Sequence, residues 1–152
     1  MNNSLRIQPV EVGSNLWKAL TEYADACSWS AGKSLAQQMR ANNFGGWARI
    51  FAALAGNEIA GYCTFAEKDC IPHVPYTPYI GYMFVGEPYR GNRLSGKLIR
   101  FVLDYAKSLG FHQVYLVSDH INLYEKYGFV KADAKPAPWN PDQMETIFRH
   151  DI

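Results

Sequence analysis

Charge of one sign is what this chain most visibly lacks. Its 15 Lys and Arg stand against 14 Asp and Glu, a net charge of +1 at neutral pH. Proteins that grip nucleic acid do so through phosphates and carry a basic excess, so that partner is not expected. Long apolar runs are missing too: no stretch approaches the about 20 residues that a membrane-spanning helix needs. The polar start MNNSLRIQ does not read as a signal peptide. No membrane partner and a cytoplasmic location are therefore expected. Cysteine is scarce. Cys27, Cys63 and Cys70 form no metal-ligand pair, and an odd count argues against a disulfide framework. They read as small buried or half-buried thiols. The four histidines (His73, His112, His120 and His150) lack zinc spacing, so no metal is assigned.

What is present is an ordinary globular composition, 48% hydrophobic and 19% charged over 152 residues. That length predicts one domain, residues 1–152, with a sizeable core. The chain is organised around Tyr79–Leu109. Tyr79 to Val85 is short, aromatic and β-branched, as a buried strand is. A turn at Gly86-Glu87-Pro88 leads to Arg90-Gly91-Asn92-Arg93-Leu94-Ser95-Gly96. The period then switches: Leu94, Leu98, Ile99, Val102, Leu103, Ala106 and Leu109 form one helical stripe, and Gly110 stands where a C-cap glycine belongs. A buried strand thus feeds a loop that ends at a helix N-terminus. Unsatisfied N–H groups and the helix dipole make such a terminus an anion site. With Arg90 and Arg93 in the loop, it reads as a diphosphate cradle. Lys97 and Arg100 follow, either beside further phosphate or as solvated surface charge.

In chain order, Leu5 to Val10 alternates as an edge strand, where Pro9 is tolerated. Ser14 caps a helix to about Ala26; Ser28-Trp29-Ser30 breaks it and recaps a second helix that ends near Asn42-Asn43. Trp47–Leu54 and Glu58–Lys68 read as strands joined by a hairpin at Ala55-Gly56-Asn57. A proline-rich connection, Ile71 to Pro78, precedes the central strand. After the central helix come a strand at Val114–Ser118, a short helix around Ile121–Tyr127 and a strand at Phe129–Ala132. A proline loop with Trp139 then leads to a last strand, Met144–His150. This order predicts an α+β fold: a mixed sheet of six or seven strands flanked by about four helices.

Two known phosphate loops compete for the cradle. Gly91, Gly96 and Lys97 match Walker A spacing, but Leu98 stands where a hydroxyl should hold magnesium. The other is the Arg/Gln-x-x-Gly-x-Gly/Ala loop of motif A in the GNAT N-acetyltransferase superfamily, which holds the pyrophosphate of acetyl-CoA. The run Arg90 to Ser95 resembles it, with Arg93 replacing the usual glycine and Ser95 the last small residue. A second block, Asn122-Leu123-Tyr124-Glu125-Lys126-Tyr127-Gly128-Phe129, resembles the late motif of the same family, in which a short helix ends on glycine and turns into a strand. Both motifs fall in the family's order.

The resemblance implies a GNAT-like twisted sheet and acetyl-CoA as cofactor. Arg90, Gly91, Asn92, Arg93, Leu94, Ser95 and Gly96 would hold its diphosphate. Met83, Phe84 and Val85 would form a bulged strand that pairs with pantetheine and polarises the thioester carbonyl. Tyr124 matches the family's general acid. A phenol, with an unperturbed pKa of about 10, stays protonated at neutral pH and can donate to a leaving thiolate. It could equally anchor its short helix. No carboxylate lies between Tyr79 and Val85 to serve as base. Glu67, Asp119 and His120 are the remaining candidates, and Asp119 could instead cap the next helix. Trp29 and Tyr79 are candidate acceptor-pocket residues, although Trp29 at a helix–helix corner could simply plug it. The expected activity is acetyl transfer to the amine of a small molecule or peptide, and a homodimer is compatible with it. The alternative is a non-catalytic module that binds or senses acyl-CoA.

Overall fold

A computed structural model describes residues 5–91, 93–120 and 122–152. Their strands are β1 (Leu5–Val10), β2 (Arg49–Ala55), β3 (Glu58–Ala66), β4 (Tyr79–Val85), β5 (Gln113–Ser118), β6 (Val130–Ala137) and β7 (Asn140–Asp151). The helices are α1 (Asn15–Ala26), α2 (Ala31–Arg40) and α3 (Leu94–Ser108), with 3-10 turns at Glu87–Tyr89 and Glu125–Tyr127. The strands form a seven-stranded sheet in the order β1-β2-β3-β4-β5-β7-β6. β4 and β5 run parallel, while β1/β2, β2/β3, β5/β7 and β6/β7 are antiparallel. The expected mixed sheet is therefore present. Among the described residues no helix is long and apolar enough to cross a membrane. By contact density the chain divides into two compact units, Met1–Phe65 with Tyr82–Leu98 and Ala66–Gly81 with Ile99–Ile152.

In the first unit, α1 starts where Ser14 Oγ accepts the Trp17 N–H at 3.1 Å. Its apolar face buries Trp17, Leu20 and Ala24, and α2 buries Leu35, Ala36 and Met39. These pack with Val10, Ile50, Ala52, Leu54, Tyr62 and Phe84 into one core. The spacing Ile50, Ala52, Leu54 is the period-two alternation of a strand whose one face meets helices. Each aliphatic side chain sealed this way contributes about 1.5–3 kcal/mol. Pro9 lies in β1 at the sheet edge, as expected, and the β2–β3 hairpin turns at Gly56 with φ +63°. Ser30, in contrast, does not cap α2 through its side chain. The Gly32 N–H instead donates to the Trp29 carbonyl at 3.0 Å.

In the second unit, Ile71, Tyr79, Tyr115 and Ile147 form a core with Val74, Tyr76 and Val117 packed on it. The connection before β4 therefore lies over one face of the sheet. The Tyr76 hydroxyl fastens it by donating to Asp133 Oδ2 at 2.8 Å. The α3 stripe is buried as the periodicity predicts, from Leu94 to Ala106. Leu109 is not part of it; it lies past the helix end and is 44% exposed. Gly110, at φ +92°, closes the helix, with Phe111 N–H reaching the Ala106 carbonyl at 3.1 Å.

Two expectations are corrected here. The short fourth helix is only a 3-10 turn at Glu125–Tyr127, since too few residues separate β5 from Gly128 for a stable α-helix. Ile121 lies outside the described residues. The last two strands are also longer than expected, closing in a tight turn at Pro138-Trp139. Pro136 is tolerated because β6 is an edge strand whose ladder shifts register between Pro136 and Ala137.

Gly128 ends that 3-10 turn at φ +98°, and a Cβ there would meet His150 Nε2 at 2.6 Å. Gly128→Ala should cost about 1–3 kcal/mol from backbone strain plus overlap, read as a lower urea midpoint.

Candidate active site

The loop between β4 and α3 is shaped by main-chain contacts. The Gly86 N–H donates to the Ala60 carbonyl at 2.8 Å, and the 3-10 turn closes with Tyr89 N–H on the Gly86 carbonyl at 2.9 Å. Arg90 folds back onto the strand: its Nε donates to the Val85 carbonyl at 3.0 Å, and its guanidinium lies 5.6 Å from the Phe84 ring centre. Gly91 then takes φ +84° and Arg93 φ +59°. Arg93 replaces the glycine of the resembled motif, yet its backbone keeps the left-handed conformation that favours glycine. Its carbonyl accepts the Lys97 N–H at 3.2 Å, so Arg93 is the N-cap and the first turn of α3 is Leu94-Ser95-Gly96. No acidic residue occupies that turn. A helix start without carboxylates, with Arg93 and Lys97 at and just after it in sequence, suits an anion. A Cβ at Gly91 would meet nothing within 4 Å, so the backbone there is open. Asn92, the remaining loop candidate, lies outside the described residues. Leu98, where Walker A needs a hydroxyl, is fully buried.

The strand leading into this loop is irregular where the resemblance implied a bulge. β4 pairs with β5 at Tyr79↔Tyr115 and Ile80↔Leu116. Tyr82 then adopts φ +47°, one residue ahead of Met83-Phe84-Val85. Met83 and Val85 are half-buried, whereas Phe84 is buried against Tyr62 at 5.5 Å and Trp29 at 6.0 Å between ring centres. Trp29 stacks on Phe84 within 6° of parallel and stays half-buried. It is thus brought onto the β4 segment, together with Tyr82, whose hydroxyl lies 2.9 Å from Ser34 Oγ. A cleft of about 360 Å³ opens beside them, lined by Tyr23, Cys27, Phe84 and Glu87 among others.

The second unit holds the other candidates. Tyr124 is 7% exposed and begins the 3-10 turn, its ring 6.4 Å from His120 and 6.2 Å from Phe148. The turn is fixed by Phe129 N–H on the Tyr124 carbonyl at 3.3 Å. Asp119 and Glu67 are both exposed; it is Ser118 Oγ that accepts the His120 N–H, at 3.0 Å. Tyr79 is 2% exposed and its hydroxyl has no hydrogen-bond partner. Burial, then the neighbouring Asp69 and Cys70, push that phenol up to about 12.

Sequence reasoning missed the groups beside Tyr79. Asp69, sheltered by the loop, is pushed up to about 6 by burial, although its Oδ1 accepts the Cys70 N–H at 2.7 Å. Glu145 is 6% exposed and accepts from Gln143 Nε2 at 3.1 Å. One signal could have found it: Glu145 shares strand parity with Ile147, an inward position where a carboxylate is out of place. Among the described residues no cluster of His, Cys, Asp and Glu could hold a metal ion.

An open helix start next to Arg93 thus follows a β-strand in a mixed sheet. Residues 16–129 match the acetyltransferase (GNAT) family, and the chain belongs to that family. No functionally curated protein matches it by sequence. Its fold is similar to a GNAT family acetyltransferase from Elizabethkingia anophelis with acetyl-CoA bound, with 18% identity, a TM-score of 0.68, and 99% of this chain and 100% of that one covered. It is also similar to the aminoglycoside 6'-N-acetyltransferase from Enterococcus faecium, with 16% identity, a TM-score of 0.72, and 96% of each chain covered. An aminoglycoside 6'-N-acetyltransferase complexed with coenzyme A gives a TM-score of 0.71 at 14% identity, again over 96% of each chain.

Arg93→Gly should relieve left-handed strain and stabilise the ligand-free protein by about 1 kcal/mol, seen as a higher urea midpoint. Asp69 has its folded pKa raised, so its contribution is fully favourable below its unfolded value and is lost as pH rises through about 6. Asp69→Asn should therefore raise the melting temperature at pH 7, by up to roughly 2 kcal/mol in stability, and leave it nearly unchanged at pH 4.

Proposed function

We propose that this chain is a cytoplasmic acetyl-CoA-dependent N-acetyltransferase that moves the acetyl group directly to the amine of a small molecule or peptide. The observation that carries this reading is the β4–α3 loop, with Gly91 and Arg93 left-handed, Arg90 tied to Val85, and no carboxylate in the first turn of α3. Amides from Gly91 to Gly96, Asn92 included, hold the diphosphate, and Arg93 adds charge at its rim. Bound acetyl-CoA supplies an activated thioester. The irregular strand at Met83, Phe84 and Val85 offers backbone groups to pantetheine, and a N–H near Phe84 polarises the thioester carbonyl as negative charge develops there. Tyr124 gives its proton to the departing sulfur. Trp29 and Tyr79 shape the acceptor's surroundings, while the exposed Glu67 and Asp119 are available to draw it in. GNAT family membership and the coenzyme-bound neighbours support this reading, and the loop's fit to an anion supports it independently.

A calorimetric titration with acetyl-CoA and a thiol-release assay over an amine panel test it. Tyr124→Phe should lower kcat by about a hundredfold and leave coenzyme affinity within about twofold. An unchanged kcat would remove Tyr124 from its role as acid. Tight coenzyme binding with no thiol release from any amine would favour a non-catalytic acyl-CoA sensor instead.

A further inference from the structure

The start of β3 holds the crossing from β4 to α3 at two points. One is main-chain: the Ala60 carbonyl accepts the Gly86 N–H at 2.8 Å. The other comes from a side chain two residues earlier, where Glu58 Oε2 accepts the Tyr89 hydroxyl at 2.8 Å. The first bond needs no particular side chain. The second needs an acceptor at position 58 and a donor at position 89. Glu58 is a firm base for it. It opens β3 just after the Gly56-Asn57 turn, and its register partner is Ala55 of β2, so the hairpin fixes its backbone. Gly61, further along β3, lies so close to β4 that a Cβ there would meet the Phe84 carbonyl at 2.6 Å. β3 is thus a rail against which β4 and the turn after it are laid.

Tyr89 ends the 3-10 turn, and Arg90 begins the loop directly after it. At the far end of the loop, the Arg93 carbonyl holds the Lys97 N–H at 3.2 Å and fixes the helix start. Between these ends stands Gly91, at φ +84°, with nothing within 4 Å of a Cβ built on it. A glycine in open space can swivel, so the loop keeps its shape only as firmly as its two ends are held. The bond to Glu58 holds the upstream end. It also lifts the Tyr89 phenol above its ordinary range, as donation to a carboxylate should.

We propose that Glu58 is a positioning residue for the coenzyme loop, acting through the Tyr89 hydroxyl to order the Arg90-Gly91 segment before the diphosphate arrives. The identity of that ligand rests on the acetyltransferase reading; the ordering of the loop does not. A loop already in its binding conformation does not lose that freedom on association, so the bond strengthens binding without touching the ligand. The sign of the effect sets it apart from simple electrostatics. Removing a carboxylate can only favour an anionic ligand by charge, so weaker coenzyme binding on its loss has to come through the lost bond.

The test is a calorimetric titration of acetyl-CoA into the full chain and into its Glu58→Ala, Glu58→Gln, Tyr89→Phe and Glu58→Ala/Tyr89→Phe variants. Glu58→Ala and Tyr89→Phe should each weaken binding about fivefold, and the double variant no more than either alone. Glu58→Gln keeps the acceptor and drops the charge, so it should bind at least as tightly as the unaltered protein. Melting temperatures should move by less than about 4 °C, because neither side chain is buried. Without coenzyme, hydrogen exchange at the Arg90 and Gly91 amides should quicken in Glu58→Ala and Tyr89→Phe and return to normal in Glu58→Gln. Unchanged or tighter binding in Glu58→Ala, additive losses in the double variant, or no rescue by Gln would overturn the proposal. If the unaltered protein binds no acetyl-CoA, the acetyltransferase reading falls, and exchange alone decides whether Glu58 orders the loop; unchanged exchange in Glu58→Ala would then overturn that too.

Discussion

The passage from β4 into α3 is the constraint on which the rest depends. A buried strand must end, reverse, and present a helix start. A Cβ at Gly86 would meet the Tyr23 hydroxyl at 2.8 Å and the Ala60 carbonyl at 3.2 Å, so only glycine passes there without a shift. Arg90 then holds the chain against Val85, and two left-handed residues aim it into the helix. The apolar stripe of α3 fixes the helix beneath this loop, with Leu94 and Leu98 almost fully buried. Packing thus holds a polar, positively charged end in place.

Much of this was legible in the residues because it depends on local periodicity. The change from period two to period 3.6 after Val85 marks strand and helix, and Ser14, Gly56 and Gly110 mark a cap, a hairpin and a helix end. The family motif at Arg90 to Ser95 survives even at its altered position, since Arg93 keeps a glycine-like φ. What could not be read depends on distant pairing. The left-handed Tyr82 lies inside an apolar run that has no turn signal. Tyr79 and Tyr115 are buried only because the connection carrying Ile71, Val74 and Tyr76 covers the sheet face to which Ile147 of β7 contributes. The expected helix before Gly128 failed for a length reason: a single tight turn takes up the space that the motif allows.

The first unit carries an arginine-flanked helix start; the second carries the buried Glu145 and Tyr79 and the half-buried Asp69. A net charge near zero conceals this, because the two local excesses cancel in the sum. Recognition here rests on local, partly desolvated charge, which acts more strongly than the same charge spread over an exposed surface.

The central claim is that backbone amides from Gly91 to Gly96 grip a coenzyme's diphosphate. Amide chemical shifts, followed by two-dimensional NMR during a titration with coenzyme A, test it most directly. The account predicts that the largest saturable shifts fall on the amides of Gly91 to Gly96, and that pantetheine, which lacks the diphosphate, leaves them nearly unmoved. Shifts centred elsewhere, or equal responses to pantetheine, would contradict it.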